Sequence, residues 1–159
     1  MATEIERKFL VRDERWRLDQ NGEPVQGTPF RQGYLSSSPQ STVRVRLEGD
    51  KAKLTIKGKT VGVSRSEFEY TIPKQDAEQM LNELCTGPLI EKVRYQRREG
   101  DHVWEIDVFE GNNAGLIVAE VELGSESEKF HKPVWLGDEV SEDPRYYNVN
   151  LASHPYKNW

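Results

Sequence analysis

Residues 3–11, TEIERKFLV, alternate ionised and apolar side chains with the period of two that predicts a β-strand over residues 2–11. Glu4, Glu6 and Lys8 occupy every second position, and apolar residues such as Ile5 fall between them. The outward face of a strand accepts neutral polar residues, and strand propensity disfavours Glu and Lys. A strand face made of two carboxylates and an ammonium group therefore raises the question of what it binds.

The composition predicts a single domain over residues 1–159 in the cytoplasm. The chain has 35% hydrophobic residues, which is enough for one core at this length, and a net charge of -5, which argues against general binding to nucleic acid. The single cysteine, Cys85, excludes an internal disulfide. No apolar stretch approaches the length of a signal h-region or a membrane span, so we expect no membrane association.

Seven further segments alternate in the same way, which brings the number of predicted strands to eight. Gly49-Asp50 and residues 99–101 have the composition of tight hairpin turns, so neighbouring strands are expected to be antiparallel. The seven segments are 29–35, 42–48, 51–57, 66–72, 89–98, 102–109 and 116–123.

Two helices are predicted. Residues 74–85 place Ala77, Leu81 and other apolar side chains in one stripe, with Gly87 beyond them as the expected C-terminal stop. Asp143-Pro144 is typical of a helix start, and the second helix is expected to continue from there to a break at Pro155.

The charges on the strands are grouped by sign on one parity. Residues 44–46 read RVR, whereas ExE or ExD recurs on several strands. One interpretation is the solvated face of an antiparallel sheet whose apolar face is buried. The other is a barrel with the charged face inward, since an even number of antiparallel strands closes without an edge and about eight leave room for one small ligand. The inward parity would carry Glu4, Glu6, Lys8, Arg44, Arg46, Lys53, Thr55, Lys57, Glu67, Glu69, Lys92, Arg94, Glu105, Asp107, Glu120 and Glu122.

In the barrel interpretation the apolar faces point outward, and the two helices and the tryptophans are expected to cover them. Arginine forks match phosphate oxygens, and carboxylates are the ligands that magnesium or manganese prefers. Such a lumen could hold a polyanion together with a divalent cation.

The order of the charge motifs resembles the CYTH superfamily, the triphosphate tunnel metalloenzymes. EIERKF at 4–9 is similar to the ExExK signature that opens these proteins, and EIDVF at 105–109 and DPRYYNVNLA at 143–152 resemble compact bacterial members. The motifs that follow the signature in matching order are RVR at 44–46, LTIK at 54–57, EFE at 67–69, EKVR at 91–94 and EVE at 120–122. The resemblance implies a mainly β fold: a closed eight-stranded antiparallel barrel with a charged lumen, covered outside by a few helices.

The resemblance also implies the roles of individual residues. Metal binding by Mg²⁺ or Mn²⁺ is expected at Glu4, Glu6, Glu120 and Glu122. Phosphate binding is expected at Lys8, Arg44, Arg46, Lys57, Lys92 and Arg94, with Glu67, Glu69 and Asp107 as neighbouring carboxylates. The expected partner is a small polyanionic triphosphate, bound by a monomer or homodimer.

Tyr34, in RQGYL, is the candidate general base for an attacking water. A neighbouring Lys57 ammonium would favour the phenolate form and make the tyrosine a base that works best in alkaline solution. The alternative is a packing residue with a solvated hydroxyl.

The first functional prediction is metal-dependent hydrolysis of inorganic tripolyphosphate to pyrophosphate and phosphate. A thiamine triphosphatase or a class IV adenylyl cyclase would use the same tunnel, but no residues can be assigned to an adenine pocket. A module that only binds polyphosphate or nucleotide is the third class, although it would not need the full set of carboxylates.

Overall fold

The computed structural model describes residues 2–159 as nine β-strands and two short α-helices joined by turns. The strands are β1 Ala2–Val11, β2 Gly27–Ser37, β3 Ser41–Glu48, β4 Lys51–Gly58, β5 Ser64–Thr71, β6 Thr86–Glu99, β7 His102–Phe109, β8 Ile117–Glu122 and β9 Leu136–Glu139. The helices are α1 Lys74–Glu83 and α2 Asn148–Ser153.

The first eight strands form a closed antiparallel barrel, which confirms the predicted fold. Their order around the barrel is β5-β4-β3-β2-β6-β7-β8-β1. β1 closes the ring because its first half pairs with β5, where Glu4 lies opposite Arg65. Its second half pairs with β8, where Glu6 lies opposite Glu122 and Lys8 opposite Glu120. The charged signature strand is therefore the seam of the barrel.

The ninth strand was not predicted. β9 pairs with the last residues of β1, through Phe9 opposite Glu139 and Val11 opposite Leu136. Its four residues, LGDE, are too short to show a period of two. β5 pairs only with the first residues of β1, so the last residues of β1 are free to pair with β9.

The apolar faces of the strands point outward, and most of them are covered. The largest cluster surrounds Phe9 and buries Trp16, Trp104 and Trp135 completely or almost completely. Its cover comes from Trp16 in the 3₁₀ turn Glu14–Arg17 and from the segment around Trp135, so here the tryptophans give the predicted cover and the helices do not. The two smaller clusters lie under α1 and α2 and include Ala77 and Leu151.

The predicted helices are shorter than expected. α1 ends at Glu83, and Gly87 (φ +74°) belongs to the start of β6 instead of stopping the helix. The second predicted helix is divided, because Tyr147 has extended backbone angles between a 3₁₀ turn at Pro144–Tyr146 and α2. No helix within residues 2–159 combines the length and the apolar character that a membrane span requires.

Both predicted hairpin turns are present. Gly49 (φ +60°) and Gly100 (φ +59°) adopt the left-handed conformation that only glycine reaches at little cost. They join β3 to β4 and β6 to β7 directly across the sheet.

Candidate active site

The barrel interior is a tunnel of three connected cavities. The central cavity, of about 180 Å³, continues into a first mouth lined by Tyr34 and a second mouth lined by Phe30. Arg44 and Lys57 line both the central cavity and the first mouth, whereas Arg46 and Arg94 line both the central cavity and the second mouth. The residues around the central cavity are Glu4, Glu6, Arg44, Arg46, Lys53, Lys57, Glu67, Glu69, Arg94, Glu105, Glu120, Glu122 and Asn148.

The charge in the tunnel is unevenly distributed. Seven carboxylates and five cationic side chains surround the central cavity, a formal excess of two negative charges. Four cationic side chains and one carboxylate line the first mouth, a formal excess of three positive charges. The centre is therefore suited to a cation and the first mouth to an anion.

This distribution confirms the charged lumen and rejects the solvated-face interpretation. Ten of the eleven predicted site residues line the central cavity or the first mouth: Glu4, Glu6, Lys8, Tyr34, Arg44, Arg46, Lys57, Arg94, Glu120 and Glu122. The eleventh, Lys92, lies in the wall of the barrel.

Lys92 belongs to a buried ionic network. Its ammonium group donates to Asp107 (2.8 Å) and to the side-chain oxygen of Asn148 (3.3 Å), and Asp107 also accepts two hydrogen bonds from Arg94 (2.8 and 2.9 Å). Burial lowers the pKa of Lys92 to about 7, against the attraction of Asp107. The phosphate contact predicted for Lys92 stays a prediction, and the contacts observed here give it a structural role.

Asp107 holds two cations inside the wall. Burial by itself would raise the pKa of this carboxyl, but Arg94 and Lys92 outweigh that effect and lower it to about 2. The ionised Asp107 therefore stabilises the folded chain fully when the pH is above the ordinary pKa of 3.8. This stabilisation is lost as the pH falls from 3.8 to about 2.

Asp107→Asn should lower the free energy of unfolding by about 3 to 5 kcal/mol at neutral pH, since it leaves the buried Lys92 without its counter-ion and Arg94 with only the partly exposed Glu105. Denaturant titration from pH 7 down to pH 3 measures this, and the gap to the unsubstituted chain should narrow below pH 4. Asp138→Asn, at an exposed position of β9, is the control and should change little. Equal stability of the Asp107 variant at pH 7 would contradict the network's role.

Phe30 orients two of the predicted phosphate-binding groups. The guanidinium carbons of Arg46 and Arg94 each lie 4.9 Å from the centre of its ring. Cation–π contacts of this kind restrict a long side chain, and the N–H groups of Arg46 and Arg94 also donate to Glu48 and Asp107. Phe30 thus helps to fix the two arginines between the central cavity and the second mouth.

The predicted metal ligands fall into two kinds. Glu4 accepts two hydrogen bonds from Lys57 (3.0 and 3.2 Å), and Glu120 lies 3.5 Å from Lys8. Glu6 and Glu122, which face each other across β1 and β8, form no ion pair with any residue of the described part of the chain.

The two unpaired carboxylates have raised pKa values. Burial raises the pKa of Glu6 well above its ordinary value and the charge of Glu120 raises it further, while burial and the charge of Glu4 raise that of Glu122. Facing carboxylates that repel their neighbours fit a divalent cation, which would stabilise the ionised forms. The donor set therefore fits a hard divalent metal ion.

Within residues 2–159, no three carboxylate, histidine or cysteine side chains already stand in a metal-binding arrangement. Magnesium commonly uses only one or two carboxylates and completes its shell with water and substrate phosphates. Glu6 and Glu122 would be the carboxylates that the protein contributes to the metal.

Comparison with known proteins agrees with this geometry. The model of the CYTH domain family matches residues 2–156. The chain belongs to the CYTH family. It is 45% identical to an inorganic triphosphatase of Acetivibrio thermocellus over 159 residues, covering 100% of this chain and 99% of the relative.

Two further comparisons are consistent with that membership. An inorganic triphosphatase of Nitrosomonas europaea is 40% identical over 154 residues, covering 94% of this CYTH chain and 97% of the relative. The crystal structure of the inorganic triphosphatase NE1496 superimposes with a TM-score of 0.66 at 35% identity, covering 96% of this chain and 95% of that one. The family predicted from the ordered charge motifs is confirmed.

Tyr34 and Lys57 both line the first mouth of the CYTH tunnel, and the Tyr34 side chain is 8% exposed. The Lys57 ammonium bonds to Glu4 and lies 3.4 Å from Glu67, and no hydrogen bond within residues 2–159 joins it to the Tyr34 hydroxyl. The predicted pair therefore shares a cavity without direct contact, and the role of Tyr34 stays a prediction.

Sequence reasoning missed several residues that line the CYTH tunnel, among them Arg65 and Asn148. Arg65 lines the first mouth, and it has the same parity as Glu67 and Glu69. The sequence carried this signal, but the predicted strand began at residue 66 whereas β5 begins at Ser64. Asn148 lines the central cavity and the first mouth from α2, where no periodicity could have indicated it.

Proposed function

We propose that this chain hydrolyses inorganic tripolyphosphate to pyrophosphate and phosphate, with Mg²⁺ or Mn²⁺ as cofactor. One observation carries the proposal: all residues around the central cavity are charged except Asn148. Such a lining binds phosphate groups and a metal ion, and it offers no apolar surface for a base or a thiazole ring.

The class of enzyme predicted from sequence is supported by the relatives. Both curated relatives, at 45% and 40% identity, are named inorganic triphosphatase. The matches extend over nearly the whole of each chain, so the tunnel and its flanking segments are shared.

In this proposal the arginines and the glutamates of the tunnel have different roles. Arg44, Arg46 and Arg94 bind and orient the phosphate chain through charge-assisted hydrogen bonds. Glu6 and Glu122 would hold the divalent ion, which supplies neutralisation of charge on the phosphate oxygens when it is bound.

Positioning and electrostatic stabilisation supply most of the catalysis of phosphoryl transfer, so no covalent intermediate with the chain is required. A water attacks the terminal phosphorus, its oxygen forms the new P–O bond, and the bridging oxygen leaves with pyrophosphate. We assign the acceptance of that water's proton to Tyr34, because it lines the first mouth.

Phosphate release from tripolyphosphate, thiamine triphosphate, ATP and GTP, with a parallel assay for cyclic AMP, tests the proposal. We expect tripolyphosphate to be hydrolysed with the highest kcat/KM in the presence of Mg²⁺ or Mn²⁺. Preference for an organic triphosphate, formation of cyclic AMP, or binding without phosphate release would each overturn it.

Arg44→Ala should raise the KM for tripolyphosphate by about ten- to a hundredfold, because a charge-assisted contact to phosphate contributes about 1.5 to 3 kcal/mol. The Arg44 side chain is buried in the tunnel wall, and its single hydrogen bond reaches Thr55 at 3.4 Å. Arg44→Lys should recover part of the affinity, since lysine keeps the charge without the planar fork.

The control is Arg31→Ala. Arg31 is exposed on the outer side of β2, where it lies 3.7 Å from Glu91. Its substitution should leave KM unchanged. If the Arg31 and Arg44 variants behaved alike in steady-state kinetics, the contact to substrate would have to be withdrawn.

A further inference from the structure

The cations of the central cavity and first mouth are not equally paired. Seven line these two cavities, and within residues 2–159 five of them form an ion pair: Lys8 with Glu120, Arg46 with Glu48, Lys53 with Glu69, Lys57 with Glu4 and Arg94 with Asp107. Arg44 and Arg65 form none. Both exceptions line the first mouth, where positive charge is in excess.

Arg65 is unpaired because its neighbours are already engaged. Glu4 lies opposite Arg65 in the register of β1 and β5, but its carboxylate accepts both hydrogen bonds from Lys57. Glu67, two residues further along β5, also lies within 3.4 Å of Lys57. Lys57 thus takes the two carboxylates that would otherwise neutralise Arg65.

The same two arginines have buried N–H groups without a partner. The Nε atoms of Arg44 and Arg65 are both inaccessible to solvent and bonded to no other group in residues 2–159. An N–H group of a cation left without an acceptor is unfavourable, and a small rotation of either side chain toward an anion in the mouth would satisfy it.

The wall beside Arg65 is held in place by its backbone. Val61 and Ser64 exchange two backbone hydrogen bonds (2.8 and 3.0 Å) across a turn in which Gly62 has a φ of +65°. Thr60, next to this turn, and Thr42, on β3, also line the mouth and bring hydroxyl groups to it. The first mouth thus presents two guanidinium groups and two hydroxyls to one small volume.

We propose that Arg65 and Arg44 form a phosphate subsite in the first mouth, which binds the terminal phosphoryl group of the triphosphate. The proposal rests on the proposed function, because it places that same substrate: the remaining phosphates extend toward the central cavity and its carboxylates. It makes Arg65 a substrate-binding residue in addition to those expected from sequence.

The test is calorimetric titration of the whole chain with tripolyphosphate in EDTA, where binding is measured without turnover. Arg65→Met should weaken binding by about ten- to a hundredfold, the range expected for loss of a charge-assisted contact. Arg65→Lys should restore part of the affinity. The side chain makes no hydrogen bond within residues 2–159, so both variants should keep the thermal stability of the unsubstituted chain.

Lys59→Met is the matched control. Lys59 is exposed at the outer rim, close to the same turn, and does not line the first mouth. The substitution removes the same charge, so it should change affinity by less than about twofold at physiological ionic strength, where exposed charges are screened.

Unchanged binding by Arg65→Met, or an equal loss in Lys59→Met, would overturn the subsite. Failure of the proposed function gives a different result: the unsubstituted chain would release no phosphate from tripolyphosphate with Mg²⁺ or Mn²⁺. Hydrolysis by the unsubstituted chain together with full affinity in Arg65→Met would overturn the subsite alone.

Discussion

Glu122→Gln should lower the rate of tripolyphosphate hydrolysis at least about a hundredfold at a metal concentration that saturates the unsubstituted chain, because a divalent ion contributes several kcal/mol to phosphoryl transfer. Glu122 faces Glu6 across the barrel seam without a cationic partner in residues 2–159, so its loss leaves half of the facing pair. Excess Mg²⁺ should restore part of the rate. Phosphate release measured as a function of metal concentration reports both the loss of rate and its partial recovery. EDTA should abolish the activity of every variant.

Loss of folding would not explain this result. Removing one of several crowded carboxylates relieves repulsion, so thermal stability should stay the same or rise. Glu139→Gln, on β9, removes a carboxylate that bonds to Arg7 outside the tunnel and should keep full activity. Full activity of the unsubstituted chain in chelator would exclude the metal assignment altogether.

Tyr34→Phe should lower kcat by about 10² to 10⁴ with little change in KM, the usual effect of removing a general base. The substitution keeps the ring, which is buried in the wall of the first mouth, and removes only the hydroxyl. Tyr147→Phe makes the same chemical change in the same mouth and should stay within about threefold of the unsubstituted rate.

Lys57→Ala, measured with Tyr34→Phe, separates two roles of the lysine. If the two residues act as a unit, the double variant should be no slower than the slower single variant. Losses that multiply would instead assign Lys57 to the carboxylates it contacts, Glu4 and Glu67, or to the phosphates. A Tyr34→Phe variant with normal turnover would leave Tyr34 as a wall residue.

The sequence alone determined which residues face the tunnel. A period of two places Glu4, Glu6 and Lys8 on one side of β1 irrespective of its neighbours, and the same rule assigns a side to every charged residue of a strand. The ordered motifs then indicated the family, and with it the closed barrel. Arg65 was missed only because a strand boundary was placed two residues late, which is the least reliable part of such a prediction.

The tertiary structure decided which of these charged side chains are available to bind a ligand. Parity assigned Lys92 and Arg44 to the same face, yet Asp107 and Asn148 bind Lys92 in the wall while Arg44 forms no ion pair within residues 2–159. Ion pairs depend on register and closure, which bring together residues far apart in the chain, such as Lys57 and Glu4. A local pattern holds no information about those partners, so only the closed barrel separates the carboxylates and arginines that are free for a ligand from those that stabilise the fold.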